Sequence, residues 1–98
     1  MALLKVTIKR KWLDLILNGQ KPIEYREKKP HWIARIEGKN IDKIAMRNGY
    51  RADSPLAVFK VEKIEVVNPC SHSPANGEFL SGDTYAIHIG ELIYKEGI

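Results

Sequence analysis

Three charged residues in one short segment are the residues of this sequence best suited to chemistry. Lys21, Glu24 and Arg26 follow directly after Gly19. The segment is predicted to enter a strand, where residues two apart share a face, so Glu24 and Arg26 should point the same way with Cα atoms roughly 6.5–7 Å apart. Such a pair costs desolvation free energy unless the two groups bind each other or a ligand. The pattern therefore indicates a binding or catalytic site.

Each of these side chains also has a purely structural alternative. The Lys21 ammonium could hold a phosphate, or act as a general base if it were buried. The Arg26 guanidinium suits a phosphate or a carboxylate, and Glu24 could orient it or accept a hydrogen bond from a base amino group. The alternatives are a solvated lysine and an internal Glu24–Arg26 ion pair that only fixes the strand.

Other basic and aromatic residues could extend such a site by following a phosphate backbone or stacking on a base. The alternative for each lysine alone is a solvated surface, and core packing is favoured for Trp12 and Trp32. The predicted rim consists of Lys9, Arg10 and Lys11 at a strand–helix junction, Lys28 at the end of the motif strand, and the Tyr50–Arg51 pair on a turn.

The cysteine and the histidines do not form a metal-binding pattern. Cys70 and His72 are close in sequence, but zinc sites usually need two such pairs. We predict no metal and no cofactor. A nucleophilic Cys70 paired with His72 or His88 is an alternative, although such spacing on a loop is more often incidental.

Composition restricts the class of protein. The 98 residues are 44% hydrophobic and 29% charged, which is typical of a single globular domain spanning residues 1–98. Residues 1–50 carry twelve Lys/Arg and five Asp/Glu, against four and seven in residues 51–98. The basic half favours a polyanion such as a nucleic acid, with a solvated charged surface as the alternative. Apolar runs are too short for a membrane span, no secretion signal is evident, and the single cysteine fits a reducing cytosol.

Hydrophobic periodicity predicts a mainly β protein with short helices (α+β), built as a barrel-like fold of about five or six strands. A closed or nearly closed barrel also protects strand edges. We expect a bend near Glu62–Lys63, a bulge at Gly90, and a long functional or mobile connection over residues 68–83. Strands are predicted at 3–9, 23–28, 41–47, 56–67 and 84–94, and helices at 11–18 and 30–36.

The chain resembles the ASCH domains of the PUA-like superfamily. The resemblance is carried by the pattern Gly19-x-Lys21-x-x-Glu24-x-Arg26, by Trp12, Leu15 and Ile16 before it, and by the closing strand Tyr85–Glu91. It implies a PUA-like pseudo-barrel with flanking helices and a basic cleft beside this segment that binds RNA or a nucleotide-like ligand.

Some small relatives are similar to amidohydrolases that act on acylated cytidine, and a ribonuclease activity has been proposed for others. The amidohydrolase type has a lysine and a threonine in this segment. Lys21 matches the lysine, but Glu24 stands in place of the threonine, so the expected hydroxyl nucleophile is missing.

We therefore expect a small cytoplasmic domain, with a monomer favoured, that binds RNA or a nucleotide-like ligand. The alternative is a hydrolase acting on a modified nucleoside or on RNA, with Lys21 as base and Glu24 as acid or base. A third hypothesis is a protein-binding module whose basic face meets an acidic partner.

Overall fold

The computed structural model describes residues 2–67 and 83–98. Within them the chain is mainly β with two short helices, which confirms the predicted class. The third and fourth strands begin and end at the predicted residues. The elements are β1 (Ala2–Thr7), α1 (Arg10–Leu17), β2 (Ile23–Glu27), α2 (Pro30–Ile36), β3 (Ile41–Arg47), β4 (Leu56–Val67) and β5 (Thr84–Glu96).

The strands form one curled, half-barrel sheet in the order β1-β3-β4-β5-β2. β1 pairs in parallel with β3, and the other neighbours are antiparallel. The two edge strands are therefore β1 and β2, which α1 connects in sequence. We call the space between these two edges the seam.

The ladder between β4 and β5 contains the irregularities that the sequence predicted. Its register shifts between Val61 and Lys63, which leaves Glu62 as an extra residue on β4. A Cβ atom at Gly90 would lie 3.0 Å from the Cγ atom of Glu62, so a glycine suits this close approach. Bulges bend a strand and increase its twist, which fits the curl of this sheet.

The hydrophobic core takes buried side chains from both helices and from all strands except β2. Leu13 and Ile16, three positions apart on α1, confirm its predicted apolar face. Each such side chain stabilises the fold by about 1.5–3 kcal/mol when fully buried. Ile93, expected in the core, is instead 44% exposed, because it lies in the second half of β5, where every side chain from position 91 to 96 is exposed. The core consists of Leu4, Val6, Ile8, Leu13, Ile16, Ile36, Ile44, Met46, Ala57, Phe59, Tyr85 and Ile87.

One partly buried polar contact joins β5 to the turn after α2. The Tyr85 hydroxyl donates a hydrogen bond to Oε2 of Glu37 at 2.5 Å. Burial of the phenol, reinforced by the nearby carboxylate, raises the pKa of Tyr85 to about 12. The neutral phenol therefore stabilises the folded state.

We predict that this stabilisation has a defined pH window. It should be complete below pH 10 and be lost as the pH rises from 10 to about 12, because the folded-state pKa of Tyr85 lies above its ordinary value of 10.0. At neutral pH, Tyr85→Phe should lower the free energy of unfolding by about 0.5–1.5 kcal/mol. Chemical denaturation of wild type and variant at several pH values would measure this difference.

Tyr50→Phe is the matched control, because that side chain is 93% exposed. It should leave the free energy of unfolding unchanged over the same range. A Tyr85→Phe difference that stays constant from pH 9 to pH 12 would contradict the assignment.

Candidate functional site

The turn between α1 and β2 positions the charged segment. Gly19 has a φ of +82°, which glycine adopts without strain and which ends the helix as the sequence predicted. The backbone N–H groups of Gln20 and Lys21 then both donate to the carbonyl of Leu15, at 2.9 and 3.1 Å. The turn thereby folds Lys21 back against the end of α1.

Lys21, Glu24 and Arg26 form a continuous chain of ion pairs, which we call the charged triad. Oε1 of Glu24 lies 2.6 Å from Nζ of Lys21, and Oε2 lies 2.6 Å from Nη2 of Arg26. The common face predicted for Glu24 and Arg26 is confirmed. Lys21 is only 4% exposed and Glu24 5%. A solvated lysine at position 21 is therefore the wrong alternative.

Arg26 is the triad member that reaches the surface. Its side chain is 19% exposed, and its Nη2 atom also donates to the carbonyl of Thr7 at 3.2 Å. The guanidinium carbon lies 5.1 Å from the centre of the Trp32 ring, within cation–π range. Arg26 thus connects β2 to the end of β1 and to α2, across the seam.

A cavity of about 190 Å³ lies at the seam beside the triad, and we call it the seam cavity. Trp12 and Arg26 both line it. Within the described part of the chain, Nε1 of Trp12 and Nε of Arg26 are buried donors that have no hydrogen-bond acceptor. A buried unpaired donor costs about 1–3 kcal/mol. The lining includes Thr7, Lys9, Trp12, Glu24, Tyr25 and Arg26.

The seam cavity also contains an acceptor. Each carboxylate oxygen can accept two hydrogen bonds, and the two bonds from Lys21 and Arg26 leave capacity on Glu24. The cavity can therefore bind a small group that presents acceptors beside a donor. Lys21 itself does not line the cavity, and its ammonium is bonded to Glu24 and to the carbonyl of Ile23.

The predicted basic rim does not act as one unit. Lys9 lines the seam cavity. Arg10 instead pairs with Asp14 at 2.9 Å on the exposed surface of α1, and the Lys11 ammonium lies 4.5 Å from the centre of the Trp12 ring. Of the tripeptide, only Lys9 is therefore placed at the cavity.

The remaining predicted residues are also separated. Lys28 directly follows β2 and does not line the seam cavity; its Nζ atom lies 4.0 Å from Oε2 of Glu37. Arg51 pairs with Asp53 at 3.3 Å, and both are exposed. Tyr50 is 93% exposed and belongs to a second, adjacent groove rather than to the seam cavity.

This second groove, which we call the α2 groove, contains residues that sequence reasoning missed. Its volume is about 570 Å³. The helical spacing could have predicted part of it. Residues three and four apart lie on one face of a helix, and Arg35 is three residues after Trp32 and four after His31. The groove is lined chiefly by Lys5, Arg26, His31, Trp32, Arg35 and Tyr50.

Comparisons with known proteins find no matching family model, no similar curated protein and no similar solved structure. Among residues 2–67 and 83–98, no cluster of His, Cys, Asp or Glu could hold a metal ion. No helix in these ranges has the length and apolar character that a membrane crossing requires. Cys70 and His72 of the alternative nucleophile pair, and all but the last residue of the 68–83 connection, lie outside the described residues.

We predict that Glu24 is needed for stability as well as for the site. Glu24→Gln removes the negative charge between two cations and leaves the Lys21 ammonium buried without a carboxylate. Breaking a buried pair in this way costs about 3–5 kcal/mol. Urea denaturation should show a loss of that size.

Glu91→Gln is the matched control, because Glu91 pairs with Lys60 at 3.7 Å where both side chains are exposed. Such pairs contribute about 0–1 kcal/mol. Equal losses for the two variants would show that the charged triad does not stabilise the fold.

Proposed function

We propose that this chain binds RNA or a nucleotide-like ligand, with a base edge or a phosphate held in the seam cavity. The observation that carries the proposal is a cavity lined by two residues with unpaired buried donors and by a carboxylate. A nucleobase edge presents carbonyl acceptors and amino donors side by side, which matches this set. A phosphate would satisfy the donors alone.

Size and charge support the same ligand class. The volume of about 190 Å³ is below the roughly 300–1,000 Å³ of pockets for drug-sized ligands, so one ring or one phosphate fits and the rest of a ligand lies outside. Lys9 and Arg26 bring positive charge to the cavity lining. The charged triad has one carboxylate for two cations, which leaves a net positive site.

The proposal assigns different roles to the triad members. Arg26 and Glu24 contact the ligand, because both line the cavity. Lys21 acts as a positioning residue, because its ammonium holds Oε1 of Glu24 at 2.6 Å. This assignment replaces direct phosphate binding by Lys21.

Membership of the ASCH domains and a cytoplasmic location are part of the same proposal. The half-barrel with two short helices is compatible with a PUA-like pseudo-barrel. A cavity beside the Gly19–Arg26 segment lies where the resemblance implies the ligand cleft.

The hydrolase alternative has less support. Glu24 lines the cavity and could exchange a proton with a ligand. Lys21 as a base would first have to release its contacts with Glu24 and with the carbonyl of Ile23. Turnover of an acylated nucleoside or of RNA by wild type, lost in a Glu24→Gln variant that urea denaturation shows to be still folded, would establish this alternative.

The proposal predicts an unusual response to Trp12→Phe. Loss of the Nε1–H group removes an unpaired buried donor. When the smaller ring packs equally well, the free energy of unfolding should therefore stay unchanged or rise. Binding of ribonucleoside 5′-monophosphates should weaken, because the same donor bonds the ligand. Calorimetric titration and urea denaturation would measure the two effects.

Arg26→Ala, titrated under conditions where urea denaturation shows it to be folded, should weaken ribonucleoside 5′-monophosphate binding about tenfold or more, the usual effect of removing a charged hydrogen-bond donor. Lys43→Ala, which removes an exposed charge on β3, is the control and should bind normally. Absence of binding by wild type, or unchanged binding by both Trp12→Phe and Arg26→Ala, would contradict the proposal.

A further inference from the structure

The seam cavity and the α2 groove adjoin each other at Arg26. Thr7 and Arg26 line both. The groove, at about 570 Å³, is about three times the volume of the cavity, at about 190 Å³. A ligand confined to the cavity would leave this larger, adjoining space unused.

The groove has the charge expected of a phosphate site. Lys5, Arg26 and Arg35 bring three cationic side chains to it, and no carboxylate is among the described residues that line it. Arg35 donates one hydrogen bond, to the carbonyl of His31 at 3.1 Å. No carboxylate therefore neutralises Arg35 within the part of the chain that the structure describes.

Aromatic rings stand at the same groove. Trp32 is half-buried against the core and has the Arg26 guanidinium 5.1 Å from its centre. Tyr50 is 93% exposed, an exposure that removes it from any role in the core. An exposed ring beside cations is the arrangement on which single-stranded bases stack.

The loop that carries Tyr50 is fixed at its base. Nη1 of Arg47 donates to the carbonyls of Ala52 and Ser54 at 2.7 and 2.8 Å. The side-chain amide of Asn48 donates to the carbonyl of Ile8 at 2.9 Å. These bonds tie both ends of the loop to the sheet, so Tyr50 projects from a supported turn.

We infer that the ligand is a single-stranded nucleic acid of two or more nucleotides, which runs from the seam cavity across Arg26 into the α2 groove. This inference rests on the proposed function and names its substrate class. One base or phosphate occupies the cavity, the next phosphate lies among Lys5, Arg26 and Arg35, and a following base stacks on Tyr50 or Trp32. A duplex is excluded from this arrangement, because its bases are stacked on each other and cannot reach the rings.

The test compares ligands of different length on the full chain. The probes are a ribonucleoside 5′-monophosphate, a single-stranded RNA octamer, the same sequence in DNA, and the octamer in an RNA duplex. The variants are Tyr50→Ala and Arg35→Ala, with Lys43→Ala as a control that removes an exposed cation lining neither space. Fluorescence anisotropy and calorimetry give the affinities at several salt concentrations.

The octamer should bind at least about tenfold more tightly than the monophosphate. Tyr50→Ala should weaken octamer binding at least about fivefold, the effect of losing one stacked base, and leave monophosphate binding unchanged. Arg35→Ala should reduce the slope of log affinity against log salt by about 0.7, the value for one phosphate on a single strand. Lys43→Ala should change neither quantity.

Other results would overturn the inference in distinguishable ways. If monophosphate and octamer bind with equal affinity, and Tyr50→Ala and Arg35→Ala do not change octamer binding, the ligand is confined to the seam cavity. The proposed function would then still stand. Duplex binding as tight as single-strand binding would reject the single-stranded class. Failure of every probe to bind would reject the proposed function as well. The comparison of the RNA and DNA octamers identifies which sugar is accepted. Tighter binding of RNA and equal binding of the two both support the inference.

Discussion

The buried carboxylate of Glu24 is the constraint around which this part of the fold is organised. Burial of a charge costs several kcal/mol unless oppositely charged donors replace its water. Lys21 and Arg26 supply those donors at 2.6 Å each. Because Arg26 also bonds the carbonyl of Thr7, the contacts that satisfy Glu24 also tie the edge strand β2 to β1. The site and the closure of the sheet therefore depend on the same side chains.

This manner of closure explains why a cavity is present. Two edges joined by a backbone ladder would lie about 4.8 Å apart and leave no space between them. Here a guanidinium reaches across the seam from β2 to the end of β1. Trp12 and Arg26, which line the space beside it, each have a buried donor that the described residues do not satisfy. A fold seldom keeps such donors, and the ligand proposed above would accept hydrogen bonds from them.

Some of the basic residues are paired with carboxylates, whereas others line the seam cavity or the α2 groove without such a partner. Arg10 and Arg51 each have an acidic neighbour on the surface, Asp14 and Asp53. Lys5, Lys9 and Arg35 have no carboxylate partner within the described ranges, and each of them lines the seam cavity or the α2 groove. Together with Arg26, these three cations bring positive charge to the two adjoining spaces, although other exposed lysines, such as Lys29 and Lys43, line neither of them.

The sequence by itself determined the elements and the common face of Glu24 and Arg26, because periodicity, glycine turns and strand alternation act over a few neighbouring residues. It also indicated the bend at Glu62 and the helix end at Gly19. Only the tertiary structure decided that Lys21 is buried, that Trp12 has an unpaired donor, and that α2 lies beside β1. These depend on contacts between residues far apart in the chain. The order of the strands in the sheet determines such contacts, and the local sequence pattern does not encode that order.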